Sequence, residues 1–165
     1  MGLLDILAAR AFGAARVVAI EPNEERRRLA RAYGADEAMT PEEAAGVVRG
    51  ACDFVVVGPG QPEVIREALA YVRPGGIALL FTPTPFGVKT DLDLGDLYFR
   101  EISLVPSYSC GPEDTRQAYD LLRKGRVRVE QLMTHRFALD DIQAAYDMAR
   151  QGGAVLKVLV TFGGS

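Results

Sequence analysis

Short apolar runs alternate with helix-length segments along this chain, and the alternation constrains its fold more than any other feature. The runs 16–20, 53–57 and 77–81 carry few polar residues, which is typical of strands buried on both faces. Amphipathic segments of about ten residues separate them. Strand–helix–strand units of this kind build a parallel sheet with helices on both faces. The sequence therefore predicts an α/β fold with a doubly wound parallel sheet.

Capping residues and glycines set the predicted boundaries of these elements. Asn23, followed by two glutamates, begins a helix, and Thr40 with Glu43 forms a capping box. The predicted helices cover residues 3–11, 24–33, 62–72, 113–124 and 139–150, with one more beginning at residue 41, and glycines 13, 34, 125 and 152–153 end four of them. The further predicted strands are 102–105, 133–137 and 154–162, whereas 73–76 is predicted as a tight turn and 82–98 as a loop with one turn.

Length and composition fit one globular domain without a membrane or polyanion partner. A chain of 165 residues can bury a core, and 48% hydrophobic with 25% charged residues is the balance of a soluble globular protein. The net charge of −3 gives no reason to expect nucleic acid as a partner. No apolar run approaches the ~20 residues that cross a bilayer, and the first residues lack a basic leader. Because only Cys52 and Cys110 are present, we expect a cytoplasmic protein.

Gly2 and Glu21 stand where a nucleotide-binding fold needs them. Gly2 opens the first helix, where backbone packs closely or approaches a pyrophosphate, although a lone glycine also opens ordinary amphipathic helices. Glu21 ends the next strand, where an acid accepts both hydroxyls of an adenine ribose and repels a 2′-phosphate. Glu21 thereby favours NAD over NADP, whereas Arg26 and Arg27 nearby favour a phosphate. The alternative for Glu21 is a plain strand-end acid in solvent.

The remaining chemically versatile side chains have structural explanations. His135 is the only histidine, and a lone histidine near a strand is more often structural than a general acid or base. Cys52 and Cys110 lack the spacing of a metal motif, so they could bind zinc with His135 only if folding brought all three together. Lys157, in the last predicted strand, meets either a phosphate or a surface carboxylate.

Three stretches resemble a known family. They are VVAIEPNEERRRLARAYGAD at 17–36, YFREISLVPSYSCGPEDT at 98–115, and MTHRFALDDIQAAY at 133–146, which is followed by LKV at 156–158. They resemble the zinc-type medium-chain alcohol dehydrogenases, and the threonine, sorbitol and butanediol dehydrogenases above all. The resemblance covers essentially the whole chain, and its last two stretches are the most specific.

The resemblance implies an oxidoreductase that transfers a hydride between a secondary alcohol and NAD. It implies a Rossmann-type sheet that lacks its first, central strand, with a truncated NAD-binding domain at 1–107 and the C-terminal part of the catalytic domain at 108–165. The implied coenzyme contacts are Gly2, Leu3 and Lys157 at the pyrophosphate, Glu21 and Arg26 at the adenosine ribose, Gly58 and Pro59 on the adenosine side, and Phe81, Thr82, Pro106 and Ser107 near the nicotinamide.

The chain departs from this family in its metal sites. The family's catalytic zinc ligands precede the glycine turn, and none of those positions exists here, so zinc is expected in the full-length family but finds no ligands in this chain. Zinc would polarise the substrate alcohol during hydride transfer. We therefore assign no catalytic residue and no metal ligand to this chain, and we expect it to be inactive alone.

The missing central strand has a physical consequence. In the strand order 3-2-1-4-5-6 it would separate the strands at 17–20 and 54–57. Buried unpaired backbone groups cost roughly 1–3 kcal/mol each, so several would rival a domain stability of about 5–15 kcal/mol. We expect a strand from another chain, exchange between two copies, or direct pairing of the flanking strands. We therefore expect the chain to form a homo-oligomer or to complement a missing N-terminal half. In the resembling family, the strand at 102–105 pairs with the same strand of a second subunit across a two-fold axis.

Two other functions remain open from the residues. The stretches 17–23 and 73–76 also suit an S-adenosylmethionine-dependent methyltransferase, although the residues after 98 and the lack of an acidic or Asn-Pro-Pro-Tyr-like motif near Gly58 argue against it. The third candidate is a non-catalytic nucleotide-binding or assembly module. The alcohol itself is not defined, because most of the substrate pocket lies in the missing half.

Overall fold

The computed structural model describes residues 2–151 and 155–162, and these form an α/β fold. Its helices are α1 Gly2–Ala11, α2 Glu24–Ala32, α3 Pro41–Val47, α4 Pro62–Tyr71, α5 Leu94–Phe99, α6 Pro112–Arg123 and α7 Ile142–Gln151. Its strands are β1 Val18–Ile20, β2 Glu37–Met39, β3 Cys52–Val57, β4 Val72–Leu80, β5 Ser103–Pro106, β6 Met133–Ala138 and β7 Lys157–Thr161. Met1, the glycines predicted to end the last helix, and Ala154 lie outside the described residues.

The strands pair in parallel wherever they pair. β1 pairs with β2, β3 and β5 flank β4, and β6 pairs with β7. Parallel pairs need crossover connections, and α2 and α4 supply them for the first two sheets. The predicted α/β fold with a parallel sheet is confirmed. None of the described helices combines the length and apolarity that a membrane span requires.

Helices cover both faces of β2. Ala38 packs with Ile6 of α1 and Ala30 of α2, whereas the next residue, Met39, packs with Ala44 of α3 and Tyr71 of α4. Successive side chains of a strand point to opposite faces, so α1 and α2 lie on one face and α3 and α4 on the other. This is the predicted doubly wound arrangement.

The sheet is interrupted between β1 and β3. Val18 of β1 and Val55 of β3 pack against the same buried cluster, yet in the described part of the chain no backbone pairing joins the two strands. The predicted absence of a central strand is therefore confirmed. Direct pairing of the flanking strands, one of the three closures expected from the sequence, is wrong for this chain.

One face of β3 is open to solvent. Val55 and Val57 pack towards α4, but Phe54 and Val56 on the opposite face are 52% and 37% exposed. The prediction that this strand is buried on both faces is wrong. The physical reason is that α4 packs on only one face of the strand, so the alternate side chains remain accessible.

One local prediction needs correction, and the structure refines a second. The predicted turn at 73–76 lies inside β4, where pairing passes from Cys52↔Val72 to Phe54↔Ile77, so the turn is an irregular bulge within a strand. The turn predicted within the loop at 82–98 corresponds to the start of α5, which extends to Phe99. Its capping residue Asp93 accepts a hydrogen bond from the backbone N–H of Asp96.

Helix boundaries that depend on nearby residues agree with the sequence. Asn23 Oδ1 accepts a 3.0 Å hydrogen bond from the Arg26 backbone N–H, and Thr40 and Glu43 form the reciprocal capping box. Gly13 and Gly34, just after α1 and α2, have φ of +90° and +105°, a region that L side chains rarely adopt. These predictions are confirmed.

Asp36 ties the start of β1 to α1. Its Oδ2 accepts a 2.7 Å hydrogen bond from the Val17 backbone N–H, and its Oδ1 lies 2.5 Å from Arg10 Nη2. These contacts, the Val17 N–H first and the Arg10 guanidinium next, hold the pKa of Asp36 below its ordinary value. The ionised carboxylate is therefore the form that the folded state prefers.

We expect Asp36→Asn to weaken the loss of stability in acid. A carboxyl whose folded pKa is depressed contributes stability above its unfolded pKa of about 4, and that contribution disappears as pH falls through the folded value. The variant should therefore have a lower Tm near pH 7 and a flatter decline in Tm from about pH 5 to pH 2, measured by circular dichroism. Asp91→Asn, the same change at an exposed position, is the control. Parallel Tm curves for wild type and Asp36→Asn would contradict the prediction.

Candidate functional site

Six of the predicted coenzyme contacts meet at one edge of the sheet. Gly58 and Pro59 follow β3, Phe81 and Thr82 follow β4, and Pro106 and Ser107 end and follow β5. The Phe81 N–H donates to Val57 O at 3.1 Å, and the Ser107 N–H donates to Leu80 O at 3.0 Å. These bonds continue the parallel ladder past the last strand residues, so the three strand ends lie side by side.

Glu21 occupies the equivalent position at the end of β1. Its backbone N–H donates to Met39 O at 3.0 Å, and its Oε1 accepts from the Asn23 N–H at 2.9 Å. The residue is half-buried. One carboxylate oxygen is thus held by the turn, and the fixed carboxylate presents its other oxygen as an acceptor.

The two arginines near Glu21 differ in their surroundings. Arg27 Nη1 donates to the backbone oxygens of Glu21 at 2.9 Å and of Pro22 at 2.7 Å. Its guanidinium therefore stabilises the turn that carries the acid. Arg26 is exposed, and its backbone N–H, rather than its side chain, contacts Asn23. Arg26 and Arg27 are the two residues that the sequence predicts to favour a phosphate. Among the described residues, the guanidinium of Arg27 makes hydrogen bonds and that of Arg26 makes none.

Gly60 joins the loop after β3 to the loop after β4, and it is not among the predicted site residues. Thr84 Oγ1 donates to Gly60 O at 2.9 Å. A Cβ on Gly60 would stand 2.9 Å from the Pro83 carbonyl carbon and closer still to its oxygen. Gly58, by contrast, has no atom within 4 Å of such a Cβ. The signal in the sequence is the Gly-Pro-Gly that follows β3, where the second glycine permits the close approach.

Two of the remaining predicted contacts, Gly2 and Leu3, lie in the first turn of α1, and the third, Lys157, begins β7. Leu3 is half-buried beside β1, whereas Gly2 is exposed and a Cβ there would meet no atom within 4 Å. Among the described residues, Gly2 therefore does not make the close backbone packing that was one of its predicted roles. Lys157 begins β7 and lines, with Leu4, a cavity of about 440 Å³ whose other walls are apolar side chains of α1, α6, the α6–β6 connection and the β6–β7 sheet. Lys157 and α1 therefore line the same cavity.

The candidate metal ligands are dispersed. His135 Nδ1 lies 2.9 Å from Thr134 Oγ1 in β6, and Cys110 Sγ lies 3.9 Å from Thr115 Oγ1. Within residues 2–151 and 155–162, no three histidine, cysteine, aspartate or glutamate side chains come together as a metal site would require. The described residues therefore do not fit a zinc ion.

Comparison with known proteins relates the whole chain to one family. The family model described as zinc-binding dehydrogenase matches residues 1–124. Geraniol dehydrogenase from Castellaniella defragrans is 33% identical over 171 residues, which cover 97% of this chain and 45% of that protein. L-threonine 3-dehydrogenase from Bacillus licheniformis is 27% identical over 168 residues, with coverage of 97% and 48%. The chain thus spans about half the length of the curated relatives it matches.

Solved structures share the same fold. A protein from Sinorhizobium meliloti, named for the zinc-binding dehydrogenases and solved bound to NADP, superposes with a TM-score of 0.85 at 26% identity, covering 96% of this chain and 48% of that one. Benzyl alcohol dehydrogenase from Acinetobacter calcoaceticus superposes with a TM-score of 0.86 at 22% identity, covering 98% and 47%. The second likeness concerns the fold alone.

Proposed function

The chain belongs to the zinc-binding dehydrogenase family, and we propose that it is the coenzyme-binding part of an NAD-dependent alcohol or polyol dehydrogenase. One observation carries this proposal: the carboxyl ends of β3, β4 and β5 form a continuous edge, and β1 ends in the half-buried carboxylate of Glu21. Ligands of doubly wound sheets bind outside the carboxyl ends of the strands. Membership of this family also removes the reason to consider a methyltransferase.

Glu21 is the residue that selects the coenzyme. Its carboxylate, oriented by the Asn23 N–H, accepts hydrogen bonds from the hydroxyls of the adenosine ribose. A 2′-phosphate at that place would meet a negative charge. Arg27, which would offset the charge, is engaged with the backbone of the turn. These contacts favour NAD, whereas the exposed guanidinium of Arg26 beside the ribose position favours a phosphate. NADP is therefore the competing outcome, and it is the coenzyme bound in the solved structure from Sinorhizobium meliloti.

The loops at the strand ends fit the rest of a dinucleotide. Gly58 leaves open backbone where a Cβ would stand, and Pro59 continues this surface towards the adenosine. Phe81, Thr82, Pro106 and Ser107 follow or end β4 and β5, where they would hold the nicotinamide and exclude water from it. A bound nicotinamide supplies the hydride acceptor. Lys157, with Gly2 and Leu3 at the N-terminus of α1, would balance the pyrophosphate charge.

The zinc chemistry of the family belongs to the half that this chain does not span. The described residues do not fit a metal ion, so we assign them no step that uses one. The 165-residue chain is expected to bind coenzyme without oxidising alcohols, even with zinc added. Turnover of an alcohol by the chain alone would refute that part of the proposal.

The cellular setting and the domain division remain proposals as well. We propose a cytoplasmic protein, because Cys52 and Cys110 are both free thiols and free thiols persist in reducing compartments. The division into residues 1–107 and 108–165 stays a prediction. It is compatible with the β6–β7 sheet, which contains only residues of the second part.

Titration of NADH and NADPH by calorimetry tests the coenzyme assignment. Glu21→Gln should weaken NADH binding about tenfold, because a charge-assisted hydrogen bond becomes a neutral one, and it should strengthen NADPH binding, because the repulsion of the 2′-phosphate disappears. Glu24→Gln, the same change at an exposed position in the first turn of α2, is the matched control and should alter neither affinity. If Glu21→Gln and Glu24→Gln bind both coenzymes like the wild type, Glu21 does not contact the ribose.

A further inference from the structure

The loop after β4, residues 81–93, is attached to the segment around α4 by two threonine side chains. Thr84 Oγ1 donates a 2.9 Å hydrogen bond to Gly60 O, in the loop after β3 that leads into α4. Thr90 Oγ1 accepts a 2.9 Å hydrogen bond from Arg66 Nη1, in the second turn of α4. Both threonines are half-buried. The contact of Thr84 therefore adjoins the strand ends, whereas that of Thr90 is made with a helix.

The backbone ladder between β3 and β4 ends where the two loops begin. Its last bond joins the Phe81 N–H to Val57 O at 3.1 Å. Beyond this bond, prolines precede and follow Thr84, and proline has no N–H to donate. In the described part of the chain, the bond from Thr84 to Gly60 is the one hydrogen bond between the two loops. A side-chain hydroxyl thus joins the loops where the neighbouring backbone donors are missing.

The residues around Thr84 restrict its movement. Pro83 fixes its own φ at about −65°, and Pro85 restricts Thr84 to extended backbone. Threonine is branched at Cβ, which limits the rotation of its hydroxyl about χ1. Pro83 also lies against Gly60, where an added Cβ would stand 2.9 Å from the Pro83 carbonyl carbon and 3.3 Å from Thr82 O. The hydroxyl of Thr84 is therefore held in place to donate to Gly60 O.

The joined loops carry the two ends of the proposed coenzyme site. Gly58 and Pro59, in the loop after β3, belong to its adenosine side, and Phe81 and Thr82, in the loop after β4, belong to its nicotinamide side. A ligand that contacts both loops binds more tightly when they are already held at the right separation, because it does not have to order them. A ligand that contacts one loop gains nothing from the bond between them.

We propose that Thr84 is a positioning residue, which sets the separation between the adenosine and nicotinamide ends of the coenzyme site through its hydrogen bond to Gly60. The inference rests on the proposed function, because it requires a coenzyme that spans both loops. In this role Thr84 acts through the two loops rather than by contact with the coenzyme. Its effect is therefore confined to ligands that reach both ends of the site.

Calorimetric titration with NADH and with ADP-ribose tests this role, because ADP-ribose has the adenosine end of NADH without the nicotinamide. In the wild type, NADH should bind more tightly than ADP-ribose. Thr84→Val removes the hydroxyl and keeps the branched shape of the side chain. It should weaken NADH binding about fivefold, the effect of one lost hydrogen bond, and leave the ADP-ribose affinity within about twofold of the wild type. Thr84→Ser keeps the hydroxyl and should retain the wild-type ratio of the two affinities.

Thr90→Val is the matched control. It removes a hydroxyl from the same loop and breaks one hydrogen bond to α4, but it leaves the two loops joined at the strand ends. The ratio of NADH to ADP-ribose affinity should therefore equal that of the wild type. Chemical denaturation of the two valine variants should give similar midpoints, so that a changed ratio in Thr84→Val reports the separation of the loops rather than general destabilisation.

The outcomes separate this inference from the proposed function. If the wild type binds NADH more tightly than ADP-ribose and Thr84→Val keeps that ratio, or weakens the binding of both ligands equally, Thr84 does not position the two ends. A wild type that binds the two ligands equally would also overturn the inference, since the loop after β4 would then hold no nicotinamide. A wild type that binds neither ligand would refute the proposed function, and the inference with it.

Discussion

Gly76→Ala is expected to destabilise the fold by about 3 kcal/mol, which corresponds to a fall in Tm of roughly 6–12 °C. A Cβ at this position would lie 2.6 Å from Val72 Cγ1, 2.9 Å from Arg73 O and 3.0 Å from Asp53 O. Val72 is completely buried and the two oxygens belong to backbone, so no neighbour can move without disturbing the pairing of β3 with β4. Against a typical stability of about 5–15 kcal/mol, the loss is large.

Chemical denaturation of the 165-residue chain measures this effect, and Gly46→Ala is its control. Gly46 lies within α3, is exposed, and would gain a Cβ with no atom within 4 Å. Because alanine loses less conformational freedom in a helix than glycine, this variant should be stabilised by about 0.5–1 kcal/mol. A Gly76→Ala protein as stable as the wild type would show that β3 and β4 are less tightly packed at the bulge than the structure indicates.

The bulge at Gly76 also illustrates what the sequence could not predict. Asn23 and Thr40 were recognisable as helix caps because their partners lie three residues away, within a single turn. The turn at 73–76 was recognisable for the same reason. Its incorporation into β4 depends on the register with Cys52 and Phe54, about twenty residues distant, and such contacts leave no local pattern.

Exposure depends even more strongly on what surrounds an element. Phe54 and Val56 belong to an apolar run of the kind found in strands that are buried on both faces. That run can be recognised from the residues alone. Whether a helix covers the second face is a property of the assembly, and here one face is open. The same reasoning applies to the interruption of the sheet between β1 and β3. The strand order of the resembling family predicts that a strand between them is missing, but only the structure shows that β1 and β3 do not pair directly with each other.

The candidate site divides in the same way. Glu21 could be identified because an acid at the end of an apolar strand is a local pattern with a chemical meaning. Gly60 could not, since its role arises from the approach of Pro83 and from the hydrogen bond that Thr84 donates, both more than twenty residues along the chain. Residues that contact a ligand can often be recognised in a sequence by their chemistry. Residues that hold two loops together can be recognised only from the contact between the loops in the structure.

Gly60→Ala is accordingly expected to damage coenzyme binding more than any surface change near Glu21. The added Cβ would overlap the Pro83 carbonyl group, which is backbone, so the loop after β3 and the loop after β4 must separate. Overpacking of this kind costs about 1–3 kcal/mol of stability. We expect the affinity for NADH to fall by at least about tenfold, because Gly58, Phe81 and Thr82 sit on the two loops that move and the proposed site loses its preformed shape.

The neighbouring glycine separates displacement of the loops from loss of a contact. Gly58→Ala introduces the same methyl group where no atom lies within 4 Å, so the variant should unfold at the same denaturant concentration as the wild type. Any loss of NADH affinity in Gly58→Ala then reports contact between coenzyme and backbone, whereas the loss in Gly60→Ala accompanies a loss of stability. If Gly60→Ala retains wild-type stability and wild-type NADH affinity together, the two loops do not form the adenosine and nicotinamide ends of one coenzyme site.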